Sequence, residues 1–240
     1  MELTVGSLFS GIGGLDLGLE RAGMRVIWQS EIDPYACKVL AKHWPEVVNH
    51  GDIKEITWGD VVRPDVLCGG YPCQPFSLTG HRKGEQDERH LWPWVREAIS
   101  QLRPRYVILE NVRGHLSLGG VSVIGDLASI GYDAEWRIVS ASSVGAPHRR
   151  DRVIIVGYPN RKPEAQRQLV SPSSLSLECM GDASRLRASQ WPTNQPSMVG
   201  VANGVPFGMD RRRGLGNAVV PQVAEVIGRL VISDYQRRED

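Results

Sequence analysis

Through roughly the first 157 residues, short apolar runs take turns with stretches that place apolar residues at helical spacing. LTVGSLF (3–9), RVIWQSE (25–31), DVLCGG (65–70), RYVILEN (105–111), DAEWRIVSA (133–141) and RVIIVGY (152–158) read as strands. Between several of them lie amphipathic segments such as GLDLGLERAG (14–23) and LWPWVREAISQL (91–102). Strand, helix, strand at this spacing predicts an α/β fold: a mostly parallel sheet covered by helices on both faces.

After Tyr158 the character changes. The segment from 159 to 200 is rich in Pro, Ser, Arg and Gln with weak periodicity, which fits either a disordered linker or a small irregular domain. Order resumes in RRRGLGNAVVPQVAEVIGRLVISDY, where Val219, Val223, Val226, Ile227 and Leu230 share one helical face, so this helix is expected to pack back on the sheet.

Bulk electrostatics announce no partner, because the net charge is only +1; any basic surface must be local. Five lysines stand against 23 arginines, a bias that suits phosphates and base edges and that a GC-rich genome also produces. The four cysteines (37, 68, 73, 179) form no CxxC pair, so neither a zinc site nor a disulfide framework is indicated. The N-terminal MELTVGSLFSG has no charged leader, and no apolar run approaches the roughly 18 residues of a membrane span. The expectation is a cytoplasmic protein with no membrane partner.

SLFSGIGGLDLGLERAG combines a strand, a glycine turn and a helix, with Gly11, Gly13 and Gly14 letting a ligand approach the backbone at a helix N-terminus. A dinucleotide fingerprint wants glycine where this chain has Asp16, which weakens an NAD reading. Glu31 ends the next strand, 18 residues beyond Gly13, where an acid can grip two ribose hydroxyls. Asp52, in GDI, follows the expected third strand and suits an adenine amino group. In this order the three predict an adenosine-containing cofactor at the carboxyl edge of the sheet.

Cys73 lies at that same edge, in GGYPCQPFS, where a strand gives way to a loop. Glu110 ends another strand in ILENV, and PHRRDRVIIVG sets Arg150 and Arg152 two apart, on one face of an entering strand. A thiol, a carboxyl and paired arginines beside an adenosine site suit attack on an electron-poor ring.

The ordered series FSGIGG, SEID, GDI, GGYPCQPFS, LENV, PHRRDR and LGNAVVPQ resembles the motif series of the DNA (cytosine-5)-methyltransferase family, over nearly the whole chain except about 158 to 200. The size and the ending NGVPFGMDRRRGLGNAVVPQ resemble compact phage or prophage members. The resemblance implies a Rossmann-like catalytic domain over 1–157 that binds S-adenosylmethionine. It also implies a small irregular target-recognition region over 158–205 and a segment over 206–240 that returns to the catalytic domain. Phe9, Gly11, Gly13, Glu31, Ile32, Asp52, Ile53, Pro72, Leu91, Asn217 and Val219 would hold the cofactor. Ile32 replaces a common tryptophan, which weakens adenine stacking, and His148 replaces a common glutamine before the arginines. Gln74, Ser77, Arg82, Lys83 and His148 would meet double-stranded DNA, with the polar stretch 77–90 closing over the target base.

By the same resemblance, the Cys73 thiolate adds to C6 of a flipped-out cytosine, Glu110 meets N3 and the 4-amino group, and Arg152 holds O2. Arg150 neutralises phosphate or organises the loop. A monomer in a bacterial or phage-infected cell is expected, with a restriction endonuclease as an optional partner. Two other readings are methylation of cytosine in RNA and a DNA-binding regulator without activity; retention of Gln74, and of Cys73 with Glu110, argues against each in turn.

Overall fold

A computed structural model of the chain describes residues 2–72, 91–115, 119–160 and 218–239. Among these residues the strands β1 (Thr4–Leu8), β2 (Arg25–Ser30), β3 (Val48–Asn49), β4 (Val66–Gly69), β5 (Tyr106–Val112), β6 (Tyr132–Ser140) and β7 (Asp151–Pro159) form one sheet, in the order β3-β2-β1-β4-β5-β7-β6. β3, β2, β1, β4 and β5 pair in parallel, while β7 runs against both β5 and β6. The sheet is therefore mostly parallel, as the alternation of runs and helical stretches predicts.

Among the described residues the α-helices are α1 (Gly14–Arg21), α2 (Pro34–His43), α3 (Trp92–Leu102), α4 (Val121–Ser129) and α5 (Pro221–Glu239). The central strands read as unbroken apolar runs because both faces are covered. Successive side chains feed different cores: Val107, Leu109, Val153 and Ile155 join residues of α3 and α4. Tyr106, Ile108, Ile154 and Val156 join residues of α1 and α5 on the opposite face.

α1 and α5 lie backbone to backbone. A Cβ on Gly18 would overlap Pro221 O and the Ala224 methyl, and one on Gly228 would sit 2.7 Å from the Ala22 Cβ. Small residues here are a matter of space rather than of turn geometry. α5 begins at Pro221, so Val219 lies ahead of the helix and not on its face. The cause is that proline has no N–H to give and a φ already set for a first helical turn. Val219 is nevertheless buried, packed with Val223 and Leu15 in the same core.

From β1 the chain moves to β2 and β3 on one side, then crosses back to β4 and β5 on the other. The carboxyl ends of β1 and β4 therefore diverge around a crevice, where open α/β sheets receive ligands. No helix among the described residues is long and apolar enough to cross a membrane.

Candidate active site

At that crevice lies a cleft of about 750 Å³, within the size range of small-molecule sites. Its described lining comes from the segments that follow β1, β2, β3 and β4, the end of β5, the start of β7, and residues 218 and 219 just ahead of α5.

The turn after β1 is shaped by left-handed backbone. Phe9 (φ 51°), Gly11 (φ 55°) and Gly13 (φ 80°) all have positive φ. Phe9 is the informative one, since a side chain in this region is strained and persists only where the surroundings enforce it. Gly13 N–H donates to Ser10 O at 2.9 Å, closing the turn into α1. Gly11 N–H points outward to Glu31, donating to Oε2 at 2.7 Å.

Glu31 is thus a hub between β1 and β2. Its Oε1 also accepts the N–H groups of Ile32 (2.9 Å) and Asp33 (2.7 Å). Its main chain is clamped by Asn49, whose Oδ1 accepts Glu31 N–H at 3.0 Å and whose Nδ2 donates to Glu31 O at 3.1 Å. Asp52 caps the short turn Ile53–Glu55 by accepting Lys54 N–H at 3.0 Å. Ile53 is buried beneath, and Ile32 is 64% exposed at the cleft.

Beneath the glycine turn sits a carboxylate whose surroundings sequence reasoning missed. Asp16 is fully buried, accepting Ser7 Oγ–H at 3.0 Å and Gln29 Nε2–H at 2.8 Å. Ser10 Oγ donates to Ser7 Oγ at 2.9 Å, tying the turn to this group. Burial pushes the Asp16 carboxyl up to about 6, with the two side-chain hydrogen bonds opposing the rise. The absence of glycine at 16 was the visible signal; the partners became visible only in the fold.

On the far side of the crevice, Glu110 lies near the end of β5 on the α1–α5 face. Gly70 passes beneath it, and a Cβ there would come within 3.1 Å of Glu110 Oε2. A Cβ on Gly69 would likewise press on Leu8, 3.0 Å from its carbonyl oxygen. Side chains at these two positions ahead of Tyr71 and Pro72 would crowd Leu8 and Glu110. Arg152 stands cross-strand from Val112, two residues beyond Glu110 and on the same face of the sheet. Its Nε lies 2.7 Å from Glu110 Oε1. That buried oxygen has no aligned hydrogen-bond donor, so the contact is ionic and leaves directional capacity open. Burial pushes the Glu110 carboxyl above its ordinary range, opposed first by the charge of Arg152 and then by that of Arg150.

Arg150 lies just ahead of β7 rather than within it. Its Nη2 donates to Ala218 O at 2.8 Å, fastening the segment that enters α5 beside the cleft. Pro72, Leu91 and Val219 line the cleft as well. His148 is exposed on the turn before β7 and is not in the lining. Cys73, Gln74, Ser77, Arg82, Lys83 and Asn217 lie outside the described residues, as does nearly all of the 158–205 region.

A sequence model described as C-5 cytosine-specific DNA methylase matches residues 3–206. The chain belongs to that family. Curated relatives include the type II methyltransferase M.BsuFI of Bacillus subtilis, 36% identical over 66% of this chain and 40% of the relative. M.Eco47II of Escherichia coli is 38% identical over 65% of this chain and 40% of its own length. The chain thus spans well under half the length of these relatives. Among solved structures, an E. coli prophage-encoded DNA modification methyltransferase matches with a TM-score of 0.56 at 30% identity, over 66% of this chain and 47% of that one. The S. pombe Dnmt2 methyltransferase shares the fold, with a TM-score of 0.58 at 24% identity over 71% of this chain and 57% of its own. The motif series of the methylase family and the Rossmann-like sheet are in this way both accounted for.

The described charged lining of the cleft is mainly acidic, with Glu31, Asp33, Asp52 and Glu110 against Lys54 and Arg152. Such a lining suits a nucleoside carrying positive charge and repels a pyrophosphate. Dimensions, acidic hub and glycine turn therefore fit S-adenosylmethionine better than a dinucleotide.

Proposed function

We propose that the chain methylates C5 of a cytosine in double-stranded DNA, with S-adenosylmethionine as methyl donor and Cys73 as nucleophile. The observation that carries this reading is the buried Glu110, 2.7 Å from Arg152, facing the same cleft as Glu31 and Pro72. An acid poised by burial against an arginine, in a cleft also lined by Pro72, which precedes Cys73 in the chain, suits activation of a pyrimidine ring.

Glu31 holds the ribose hydroxyls, Asp52 the adenine amino group, and Ile32 and Ile53 the faces of the adenine. Phe9 and Gly11 form the floor, Gly13 closes the turn that carries them, Pro72 and Leu91 form the wall, and Asn217 with Val219 the methionine end. When bound, the cofactor supplies an electrophilic methyl on a sulfonium sulfur. Cytosine C5 is a weak nucleophile, so the ring is first activated. The Cys73 thiolate forms a bond to C6 while the protonated Glu110 delivers its proton to N3, which moves electron density to C5. Arg152 holds O2, and Arg150 secures the segment ahead of α5. After C5 is methylated, a base removes the C5 proton, the C6–S bond breaks, Cys73 departs as thiolate, and N3 returns its proton to the Glu110 carboxylate.

The target base must leave the helical stack, at a cost on the order of a few kcal/mol. Gln74, Ser77, Arg82, Lys83 and His148 grip the DNA, and residues 158–205 read the target sequence. Bisulfite sequencing of DNA from cells that express the chain tests the reading directly. Protected cytosines within one short recurring sequence are expected; uniform conversion, equal to that in cells carrying Cys73→Ser, refutes it.

A further inference from the structure

We propose that Tyr71 and His115 are positioning residues that fix the main chain from which Cys73 departs. The inference rests on the methyl-transfer reading above and adds two residues to it. Tyr71 is buried, and its hydroxyl lies 2.7 Å from Nε2 of His115, which is also buried. A phenylalanine would fill this space without a polar group to satisfy, so the hydroxyl and its imidazole partner form a directed pair. The rings meet edge to face, with centroids 5.4 Å apart.

The pair belongs to a larger clamp at both roots of segment 73–90. Asn111, next to Glu110, donates its Nδ2–H to Tyr71 O at 3.1 Å. The Tyr71 ring also packs on Trp92, the first residue of α3, at 5.4 Å between centroids. Trp92 Nε1–H in turn donates to Asp126 Oδ2 in α4 at 2.6 Å. Residues 71 and 92, which bracket the segment, are therefore held against each other and against β5 and α4.

This placement reaches Cys73 through few soft torsions. Pro72 has a fixed φ, and the residue ahead of a proline is restricted to extended backbone. Fixing the ring, hydroxyl and carbonyl of Tyr71 therefore constrains where Cys73 starts. Displacing a reacting group by about 1 Å costs on the order of a hundredfold in rate.

The test follows covalent trapping on duplex DNA carrying 5-fluorocytosine at the methylated site, with S-adenosylmethionine present. Binding of S-adenosylhomocysteine and thermal midpoint are measured in parallel. Tyr71→Phe, which keeps the ring, should slow adduct formation about tenfold to a hundredfold while S-adenosylhomocysteine affinity stays within about twofold. His115→Ala should do the same, and His115→Gln, which returns a polar group near the Nε2 position, should recover most of the rate. Wild-type trapping rates in folded Tyr71→Phe overturn the proposal, as does a His115→Gln rate no better than that of His115→Ala. Failure of the wild-type chain to form any adduct would instead overturn the methyl-transfer reading itself.

Discussion

Replacing Asp16 by asparagine should stabilise the protein at neutral and alkaline pH and do little in acid. The carboxyl is fully buried, and the side chains that donate to it, Ser7 and Gln29, are both neutral. Its folded pKa of about 6 stands above the ordinary value of 3.8. For an acid whose folded pKa is raised, ionisation favours the unfolded chain. The stability is complete below 3.8, is lost as pH climbs towards 6, and stays lost above it. At roughly 1.4 kcal/mol per unit, the loss is about 3 kcal/mol. Asparagine has the same shape and never ionises; its Oδ1 keeps the bond from Gln29, while the Ser7 hydroxyl must reorient at a cost of about 1 kcal/mol. A net gain of ~2 kcal/mol raises the melting temperature by about 4–8 °C in a domain of this size. Thermal unfolding of both proteins at pH 8 and pH 4 checks this. A variant less stable than wild type at pH 8, or a difference that does not shrink in acid, would refute the argument from burial.

Glu31→Ala should weaken binding of S-adenosylhomocysteine by about 1–3 kcal/mol in calorimetric titration, with NAD binding to neither protein. It should also lower the melting temperature, because three backbone N–H groups lose their shared acceptor. Gly18→Ala should destabilise by ~2 kcal/mol or more in denaturant titration, since the new methyl overlaps Pro221 O and Ala224; Gly125→Ala, mid-helix in α4 with nothing within 4 Å, should stabilise by about 0.5–1 kcal/mol. Exchanging residues 158–205 for the corresponding segment of a relative should change the bisulfite-mapped target and leave S-adenosylhomocysteine affinity within about twofold, and an unchanged target would remove recognition from that segment.

The sheet was legible because its central strands are buried on both faces, so each appears as an unbroken apolar run bounded by glycine, acid or polar residues. β3 was harder: only Val48 and Asn49 pair with β2, and both are exposed, so no apolar run marks them. The ends of strands carried the site. Glu31, Asp52 and Glu110, which line the cleft, stood out because acids at or just beyond the ends of strands have few structural reasons to be there. The partners of those acids were not legible, since Gly11 with Glu31, and Glu110 with Gly70 and Arg152, meet only when separate strands are laid side by side. The same holds for Tyr71 and His115, which sit 44 positions apart and show no shared periodicity. Val219 was misplaced onto a helix because its apolar spacing continues through Pro221, where backbone chemistry rather than pattern sets the boundary.

Attack of Cys73 on the ring is open to direct measurement by covalent trapping. Duplex DNA with 5-fluorocytosine at the mapped target is incubated with the chain and S-adenosylmethionine, denatured, and the linked peptide sequenced. Fluorine at C5 cannot leave as a proton does, so elimination is blocked and the Cys73–C6 bond should persist. The adduct is expected at Cys73 alone, to be absent in Cys73→Ser, and to survive substitution of Cys37, Cys68 or Cys179. Cys73→Ser should still bind DNA and S-adenosylhomocysteine, since a hydroxyl lacks only the anion needed for attack. An adduct mapped to another cysteine, or one that forms undiminished in Cys73→Ser, would contradict the account.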